Sequence, residues 1–291
     1  MFLFFLESAG GLGNQLFVWN LAHVLATVHK RKVVVIFPGK RKDRDNNLIE
    51  LKKFCSHDIT LLDSTLFARL FLVKDHFVRV FPKKKKFINR LLRFVEVGEP
   101  EAHIDIERLR PFSVVRGFHQ VTNLIAIGFP IFADELLEIT KRTFQIVHDQ
   151  KIQFGNQYLH VAHLRHGDYE DLKDIYGILD TNYYSRITLE RKWVSCVVVS
   201  DNPSVPDEVL RDLPNALYLG PHQVSAWEAF AIMSQAKELI IANSTFSWWA
   251  GKVCQLRGGK VFAPKPWHIN SPYSREYLND SKFEYRTSSF K

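Results

Sequence analysis

The second half of the chain alternates short apolar runs with amphipathic stretches, and this alternation constrains the fold more than any other feature. The apolar runs are almost continuously hydrophobic, which is typical of parallel strands covered on both faces. They read YLHVAHL, SCVVVS, ALYL, ELIIA and KVFA. Helices are predicted between them at residues 182–192, 206–212, 226–236 and 247–256. This series predicts a Rossmann-like α/β domain built on a parallel sheet.

The first half repeats this pattern less clearly. It opens with FLFFLE, a helix predicted at residues 15–28, and KVVVIF, followed by a basic, phenylalanine-rich region whose elements the sequence does not order. A length of 291 residues suits two domains of about 150 residues each. Because HDQKIQFGNQ is a polar stretch near the middle of the chain, we predict domains at residues 1–150 and 151–291.

Cysteine usage and the apolar runs favour a cytoplasmic protein. Cys55, Cys196 and Cys254 show no C-x-x-C spacing, so we expect reduced thiols. The opening MFLFFL ends at Glu7 and is shorter than the apolar region of a signal peptide. No run approaches the roughly 20 apolar residues of a membrane span.

The net charge of +8 favours an anionic partner. Two basic segments, KRKDR and PKKKK, lie in the first half. Peripheral contact with an anionic membrane face through Lys83, Lys84, Lys85 and Lys86 is one interpretation, and a solvated loop is the other. Asp43 and Asp45 have the D-x-D form that binds divalent cations, but they lie among cations, so we interpret them as a solvated cluster and predict no metal.

Polar residues follow the predicted strands of the second half, where ligands of open parallel sheets bind. The segments are RHGD from Arg165, SDNPS, GPHQ and NSTFS. NSTFS opens a helix, whose free N–H groups and dipole receive phosphate oxygens, although serine and threonine there are also ordinary caps. The guanidinium of Arg165 can bind two phosphate oxygens at once. Together these residues predict a diphosphate site.

A glycine-rich segment, GGLGNQLF, follows the first predicted strand. Its glycines allow backbone to approach a ligand closely, but the G-x-G-x-x-G register is absent. A plain turn between strand and helix explains the segment equally well.

Four segments together resemble the signature blocks of the α-1,2-fucosyltransferase family, which are inverting enzymes that use GDP-fucose. They are GGLGNQLF, HLRHGDY, SDNPS and IIANSTFSWWA, and they run in the family's order from Gly10 to Ala250. The resemblance implies a GT-B-like architecture with two facing Rossmann-like domains. The C-terminal domain is then expected to hold GDP-fucose, the N-terminal domain to complete the acceptor site, and no metal or other cofactor to be required.

The resemblance also implies roles for individual residues. Arg165 matches the arginine that binds the β-phosphate, and Asn14 lies in the block that faces the sugar. Asp168 is the candidate base for the acceptor hydroxyl, although it could equally brace the arginine or the turn. The residues assigned to catalysis are Arg165, Asp168 and Asn14. Those assigned to donor binding are Gly11, Gly13, His163, Arg165, Asp201, Glu228, Asn243, Ser244, Thr245 and Ser247.

Two positions depart from the family pattern. His166 stands where the family usually has a second arginine, which implies weaker or pH-sensitive charge compensation. Ala229 stands where an aspartate is expected to read guanine. The neighbouring Glu228 is the candidate substitute, although one helical step rotates a side chain by about 100°.

The sequence therefore predicts transfer of L-fucose from GDP-β-L-fucose to a glycan hydroxyl, with inversion and without metal. O-2 of a terminal β-galactoside is the expected position. Two alternatives remain open: a non-catalytic protein that binds a nucleotide sugar, and a basic protein that binds nucleic acid.

Overall fold

The computed structural model describes residues 3–7, 10–37, 58–63, 65–96, 109–152, 155, 159–203, 210–270 and 278–291. The chain divides into two compact units, Met1–Phe132 (unit 1) and Ala133–Lys291 (unit 2). Each unit contains one sheet in which every strand pair is parallel. The predicted α/β class, with two Rossmann-like parallel sheets, is confirmed.

Unit 1 has a five-stranded sheet. In chain order its strands are β1 (Leu3–Glu7), β2 (Lys32–Phe37), β3 (Ile59–Asp63), β4 (Phe94–Glu96) and β5 (Val114–Arg116). Their order in the sheet is β3-β2-β1-β5-β4, so β1 is the central strand. The helices are α1 (Leu12–His23), which continues as a π-helical turn at Val24–Val28, α2 (Thr65–Val80), a 3₁₀ turn at Pro82–Lys84, and α3 (Lys85–Leu91).

Helix α1 packs against β1 and β2 and is almost entirely buried. The predicted helix at residues 15–28 is confirmed, since α1 and its π-helical continuation cover it. Burial on all sides encloses polar side chains as well as apolar ones, among them Gln15 and Asn20. The Asn20 amide donates a hydrogen bond to the carbonyl oxygen of Leu124 at 2.8 Å, so the helix that follows β5 is tied to α1.

Unit 2 has a six-stranded sheet. Its strands are β6 (His160–Leu164), β7 (Cys196–Ser200), β8 (Ala216–Leu219), β9 (Glu238–Ile240), β10 (Lys260–Lys265) and β11 (Glu284–Thr287). Their order in the sheet is β11-β10-β9-β6-β7-β8. Helix α4 (Thr122–Gln150) precedes them, and a 3₁₀ segment (Gly167–Leu172), α5 (Lys173–Tyr176), α6 (Thr181–Glu190), α7 (Ala226–Ser234) and α8 (Thr245–Leu256) lie between them.

Most elements predicted for the second half are confirmed. Each of the five apolar runs contains a strand, and helices occur within two residues of the bounds predicted at 182–192, 226–236 and 247–256. Of the helix predicted at residues 206–212, residues 206–209 lie outside the described residues. Strand β11 was not predicted, because EYRT has no apolar run.

The division between the units lies inside α4, between Phe132 and Ala133. The boundary predicted from polarity, at residues 150 and 151, follows the end of that helix and stays a prediction. A polar stretch of sequence indicates exposure to solvent and says nothing about which unit a segment packs against. Contacts such as the hydrogen bond between Asn20 and Leu124 assign the start of α4 to unit 1.

Cys196 and Cys254 are free and buried, and burial raises the pKa of both thiols to about 12. The prediction for Cys55 falls outside the described residues. Within the described segments, no helix is both long and apolar enough to cross a bilayer.

Candidate active site

Three adjacent strands of unit 2 carry polar residues at their carboxyl ends. Arg165 follows β6, Asp201 follows β7, and Asn243 follows β9. Strand β6 pairs with both of the others in parallel, so all three ends lie at one edge of the sheet. The core fixes this edge, since the buried hydroxyl of Tyr184 donates to the carbonyl oxygen of His163 at 3.0 Å.

Arg165 and Asp201 form an ion pair at this edge. Arg165 Nη1 lies 2.7 Å from Asp201 Oδ2, and the two side chains are 23% and 24% exposed. The other carboxylate oxygen accepts the backbone N–H groups of His166 at 2.9 Å and Gly167 at 3.2 Å. A Cβ at Gly167 would collide with the Asp201 carboxylate, so a larger residue there would displace Asp201 from this arrangement. Asp201 therefore holds both the arginine and the turn after β6.

Tyr169 completes the surroundings of the arginine, and sequence reasoning missed it. The Arg165 guanidinium lies 5.2 Å from the centre of the Tyr169 ring, a cation–π distance. The Tyr169 hydroxyl donates to the carbonyl oxygen of Asn243 at 2.8 Å. This tyrosine thus links the end of β6 to the end of β9. An aromatic residue four positions after the arginine was the available signal.

Two histidines beside Arg165 are uncharged at neutral pH. Burial, together with the positive charge of Arg165, lowers the pKa of His163 to about 3. Burial also lowers the pKa of His166, and the charge of Lys291 adds to this effect, while Asp201 and Glu170 oppose it. His166 therefore does not replace the second arginine of the family pattern at pH 7, and Arg165 supplies the formal charge next to this turn.

Helix α8 begins beside the arginine. Ser244 is its N-cap, and its hydroxyl accepts the N–H of Phe246 at 3.3 Å. Thr245 is the first helical residue, half-buried at the edge. The Ser247 hydroxyl is fully buried and donates to the carbonyl oxygens of Ala242 and Ser244, both at 3.3 Å. Ser247 therefore stabilises the turn, and its assigned contact with a ligand stays a prediction.

Asn243 ties the same turn to α5. Its amide donates to the carbonyl oxygens of Tyr176 at 3.0 Å and Gly177 at 3.1 Å. Its buried Oδ1 has no hydrogen-bond partner among the described residues. The turn before α8 is thus held from two sides, by Tyr169 and by Asn243.

This edge suits an anion with two linked phosphate groups. A guanidinium offers paired donors, and the N-terminus of a twelve-residue helix offers a positive dipole end. Asp201 neutralises the guanidinium in this structure, so an incoming anion would share or replace that contact.

The roles predicted for two residues of unit 2, Asp168 and Glu228, stay predictions. Asp168 lies in the 3₁₀ segment after Arg165, and its side chain falls outside the described part of the chain. Glu228 forms a capping box at the start of α7, accepting the N–H of Ser225 at 2.8 Å, and pairs with Lys151 at 2.5 Å. The carboxylate of Glu228 therefore already has two structural partners, and its reading of guanine stays a prediction.

The predicted residues of unit 1 form a separate group. Gly11 caps α1, Gly13 lies buried in the first turn, and Asn14 follows it. The Asn14 side chain accepts a hydrogen bond from the Gln120 amide at 3.0 Å. Gln120 was missed because it lies 106 residues away in sequence.

The structure identifies no cluster of three or more metal-binding side chains among the residues it describes. Asp43 and Asp45 fall outside those residues. Their interpretation as a solvated pair stays a prediction.

Comparison with solved structures finds low-identity likenesses. The heptosyltransferase WaaC of Escherichia coli matches with 8% identity and a TM-score of 0.47, covering 98% of this chain and 92% of that one. The fucosyltransferase NodZ of Bradyrhizobium matches with 13% identity and a TM-score of 0.49, covering 86% and 91%. We base the fold class on the two parallel sheets of the chain itself.

Sequence comparison is more informative. The O-antigen biosynthesis glycosyltransferase WbnK of E. coli is 28% identical over 295 residues, covering 92% of this chain and 95% of that protein. An α-1,2-colitosyltransferase of E. coli is 33% identical over 132 residues, covering 40% and 42%. The profile of Glycosyl transferase family 11 matches residues 118–283, more than half of the chain. With the resemblance to the α-1,2-fucosyltransferases thus confirmed, this chain belongs to glycosyl transferase family 11.

Proposed function

We propose that the chain transfers L-fucose from GDP-β-L-fucose to a glycan hydroxyl, with O-2 of a terminal β-galactoside as the position. The observation that carries the proposal is the juxtaposition of Arg165, held by Asp201 and Tyr169, with the N-terminus of α8 on the neighbouring strand. This arrangement fits a nucleoside diphosphate leaving group. Family membership favours transfer over non-catalytic sugar binding and over nucleic-acid binding.

The proposed reaction is a single displacement with inversion at the anomeric carbon. The bond between that carbon and the β-phosphate oxygen breaks, and its electron pair leaves with GDP. A bond to the acceptor oxygen forms on the opposite face, and the hydroxyl proton passes to a base. Arg165 and the α8 N-terminus would stabilise the charge that grows on the diphosphate. Asp168 remains the candidate base.

No metal is part of this proposal, because one arginine and one helix N-terminus supply the positive charge that a cation would otherwise bring. We expect 10 mM EDTA to leave the transfer rate nearly unchanged. A rate abolished by the chelator and restored by manganese would overturn the metal-free mechanism.

The decisive experiment is incubation of the purified protein with a donor and a panel of β-galactoside acceptors. GDP-fucose and GDP-colitose are compared as donors, since one relative is named a colitosyltransferase. Mass spectrometry identifies the product, and NMR gives its linkage and anomeric configuration. We expect an α-linked fucoside at O-2. Transfer of colitose alone, or a β-linked product, would contradict the proposal.

We also propose that unit 1 contacts an anionic membrane surface. Apolar side chains along α2 and α3 lie in water, with exposed fractions between 47% and 69%: Phe77, Val80, Phe81, Phe87 and Leu91. Exposed lysines lie among them at residues 83–86. Exposed apolar residues next to a basic run are typical of a surface that inserts shallowly between anionic headgroups.

Sedimentation with lipid vesicles tests this surface. Replacing Lys83, Lys84, Lys85 and Lys86 by glutamine should weaken binding to phosphatidylglycerol vesicles strongly, since each basic residue contributes about 1 kcal/mol near such a surface. Phe87→Ser should weaken it further. Leu189→Ser is the matched control, because Leu189 is 76% exposed in unit 2. If all three variants bound phosphatidylglycerol vesicles as tightly as the parent, this surface would be excluded. Binding of the parent to neutral phosphatidylcholine vesicles alone would also exclude it.

A further inference from the structure

Residues 288–291, which follow β11, run along the carboxyl edge of the unit 2 sheet. The N–H of Ser288 donates to the carbonyl oxygen of Lys265, the last residue of β10, at 3.0 Å. Farther along, the N–H of Lys291 donates to the carbonyl oxygen of Ile178 at 2.9 Å. The segment therefore leaves β11, passes the end of β10 and reaches the connection between α5 and α6.

That connection also holds the turn before α8. The carbonyl oxygen of Gly177 accepts the side-chain amide of Asn243, which follows β9, at 3.1 Å. Phe290 packs directly on Gly177, since a Cβ at this glycine, which has φ +75°, would collide with the Phe290 ring. Leu179 and Phe290 also form an antiparallel β-bridge. Lys291 thus follows a residue anchored on the backbone that fixes Asn243.

The turn after β6 carries little net positive charge for a site that binds a diphosphate. The Arg165 guanidinium is paired with Asp201 at 2.7 Å. His163 and His166 are uncharged at neutral pH, because burial lowers the pKa of both rings. A diphosphate carries several negative charges, so a guanidinium already balanced by a carboxylate leaves most of that charge unmatched. A second cation at this edge would strengthen binding.

Lys291 is a cation whose electrostatic field reaches this turn. Its side chain is exposed. Burial lowers the pKa of His166, and the positive charge of Lys291 lowers it further, while Asp201 and Glu170 act in the opposite direction. A charge that disfavours a protonated imidazole favours an anion at the same place. An ammonium on a flexible stem binds phosphate oxygens as a point charge, so it needs no fixed orientation.

We propose that Lys291 binds the diphosphate of the donor and supplies the second positive charge that His166 does not provide. Hydrogen bonds and the packing of Phe290 hold the backbone of the segment, whereas the exposed lysine side chain can reorient towards an anion beside Arg165. The sequence pattern could not mark this residue, because it lies 126 positions after Arg165. The inference rests on the proposed function for its ligand, a nucleotide sugar with a diphosphate.

Three variants test charge and position separately. Lys291→Gln removes the charge and keeps a polar side chain, and Lys291→Arg keeps the charge. Lys260→Gln is the matched control, since Lys260 is also exposed in unit 2 but is the first residue of β10, at the opposite edge of the sheet. Isothermal titration calorimetry gives the affinities of the parent and the variants for GDP and for inorganic pyrophosphate, at low and at high salt.

We expect Lys291→Gln to weaken binding of both anions about fivefold at low salt, which is at the upper end for an exposed ion pair. High salt should reduce this difference, because it screens exposed charges. Lys291→Arg should keep most of the affinity, and Lys260→Gln should bind as the parent does. A loss below about twofold in Lys291→Gln, or an equal loss in Lys260→Gln, would overturn the inference.

Pyrophosphate separates this inference from the proposed function, because it contains neither a base nor a sugar and its binding needs no turnover. If GDP-fucose is not a donor and Lys291→Gln still binds pyrophosphate about fivefold more weakly, the proposed function fails and the inference stands. If fucose is transferred and Lys291→Gln keeps the parent's pyrophosphate affinity and kcat/KM, the inference alone fails. A parent protein that binds neither anion at millimolar concentration would overturn both.

Discussion

The carboxyl edges of the two sheets share a geometry and differ in chemistry. In unit 2 a helix with a serine cap begins beside an arginine paired with an aspartate. In unit 1 a helix with a glycine cap begins beside neutral amides and an uncharged imidazole. The same strand-to-helix turn thus presents charge in one unit and neutral hydrogen-bonding groups in the other.

This difference shows that architecture alone does not select a ligand. Both edges contain a helix start with its positive dipole end, so what differs is the set of side chains that neighbouring strands bring to the edge. A cation selects phosphate, whereas neutral donors and acceptors select hydroxyl groups. The comparison predicts that changes of charge will act mainly on unit 2 and changes of hydrogen bonding mainly on unit 1.

Acid should destabilise both units, because each contains buried histidines that stay uncharged in the folded chain. Burial lowers the pKa of His23 and His119 in unit 1 to about 4, and that of His163 in unit 2 to about 3. The unfolded chain takes up these protons near pH 6.5 and the folded chain does not, so stability falls as pH drops below 6.5. Each histidine should remove roughly 3 kcal/mol by about pH 4. Urea unfolding at several pH values measures this loss, and a free energy of unfolding that stays constant would contradict it.

The arginine of unit 2 should carry the largest catalytic effect. Arg165→Ala should lower kcat/KM at least ~100-fold, or about 2.7 kcal/mol, and Arg165→Lys should not be conservative because lysine lacks the paired donors. Arg286→Ala is the control, since Arg286 is also ion-paired, with Glu190 and Glu284, and its side chain is 27% exposed. Steady-state kinetics decide the matter. Activity within threefold of the parent in both Arg165 variants would contradict the role of Arg165 in binding the diphosphate.

Asp201 should act by positioning Arg165 and its turn. Asp201→Asn keeps an oxygen that can accept the N–H groups of His166 and Gly167, whereas Asp201→Ala removes all three bonds. We expect a loss of about tenfold in kcat/KM for the asparagine variant, or about 1.4 kcal/mol, and a larger loss for alanine. Equal losses in the two variants would show that charge, and not the backbone contacts, is what matters.

Glu228 should affect stability more than nucleotide choice. Glu228→Gln keeps an oxygen that can close the capping box with Ser225, but it loses the ion pair with Lys151 and the negative charge at the start of α7, so it should lower the free energy of unfolding by up to about 1 kcal/mol. Calorimetric titration should find the ratio of GDP to ADP affinities unchanged. A ratio that falls tenfold would instead establish Glu228 as the guanine reader.

Exchanging the helix caps should produce the smallest effect and the most direct test of the comparison. Gly11→Ser would add a cap in open space, and Ser244→Gly would remove one, so each should change the free energy of unfolding by only a few tenths of a kcal/mol. Thermal unfolding measures both changes. We expect Gly11→Ser to impair transfer despite its stability, because Gly11 is predicted to contact the donor through its backbone and a side chain would occupy the open space beside it. Full activity of Gly11→Ser would count against that prediction.

The predictability of the two edges differs as well. Arg165 and Ser244 follow clear apolar strands, so their positions at the edge of unit 2 followed from the sequence pattern. The capping box was also readable, since Ser225 and Glu228 have the S-x-x-E spacing. In unit 1 the strand β5 has only three residues, so His119 and Gln120 had no strong pattern to mark them. Helices α2 and α3 were likewise not assigned, because apolar residues such as Phe77 and Phe87 are exposed, so apolar character in this region does not mark a buried face.

The sequence by itself determined the local features of this protein: the order of strands and helices in unit 2, the glycine and serine helix caps, and the residues at each strand end. Those features depend on neighbours a few positions apart, through side-chain periodicity and capping. Tertiary structure alone decided which polar groups meet, since Arg165 and Asp201 are 36 residues apart and Asn14 and Gln120 are 106 apart. Sheet order brings such distant residues together, and it is set by the packing of whole strands and helices.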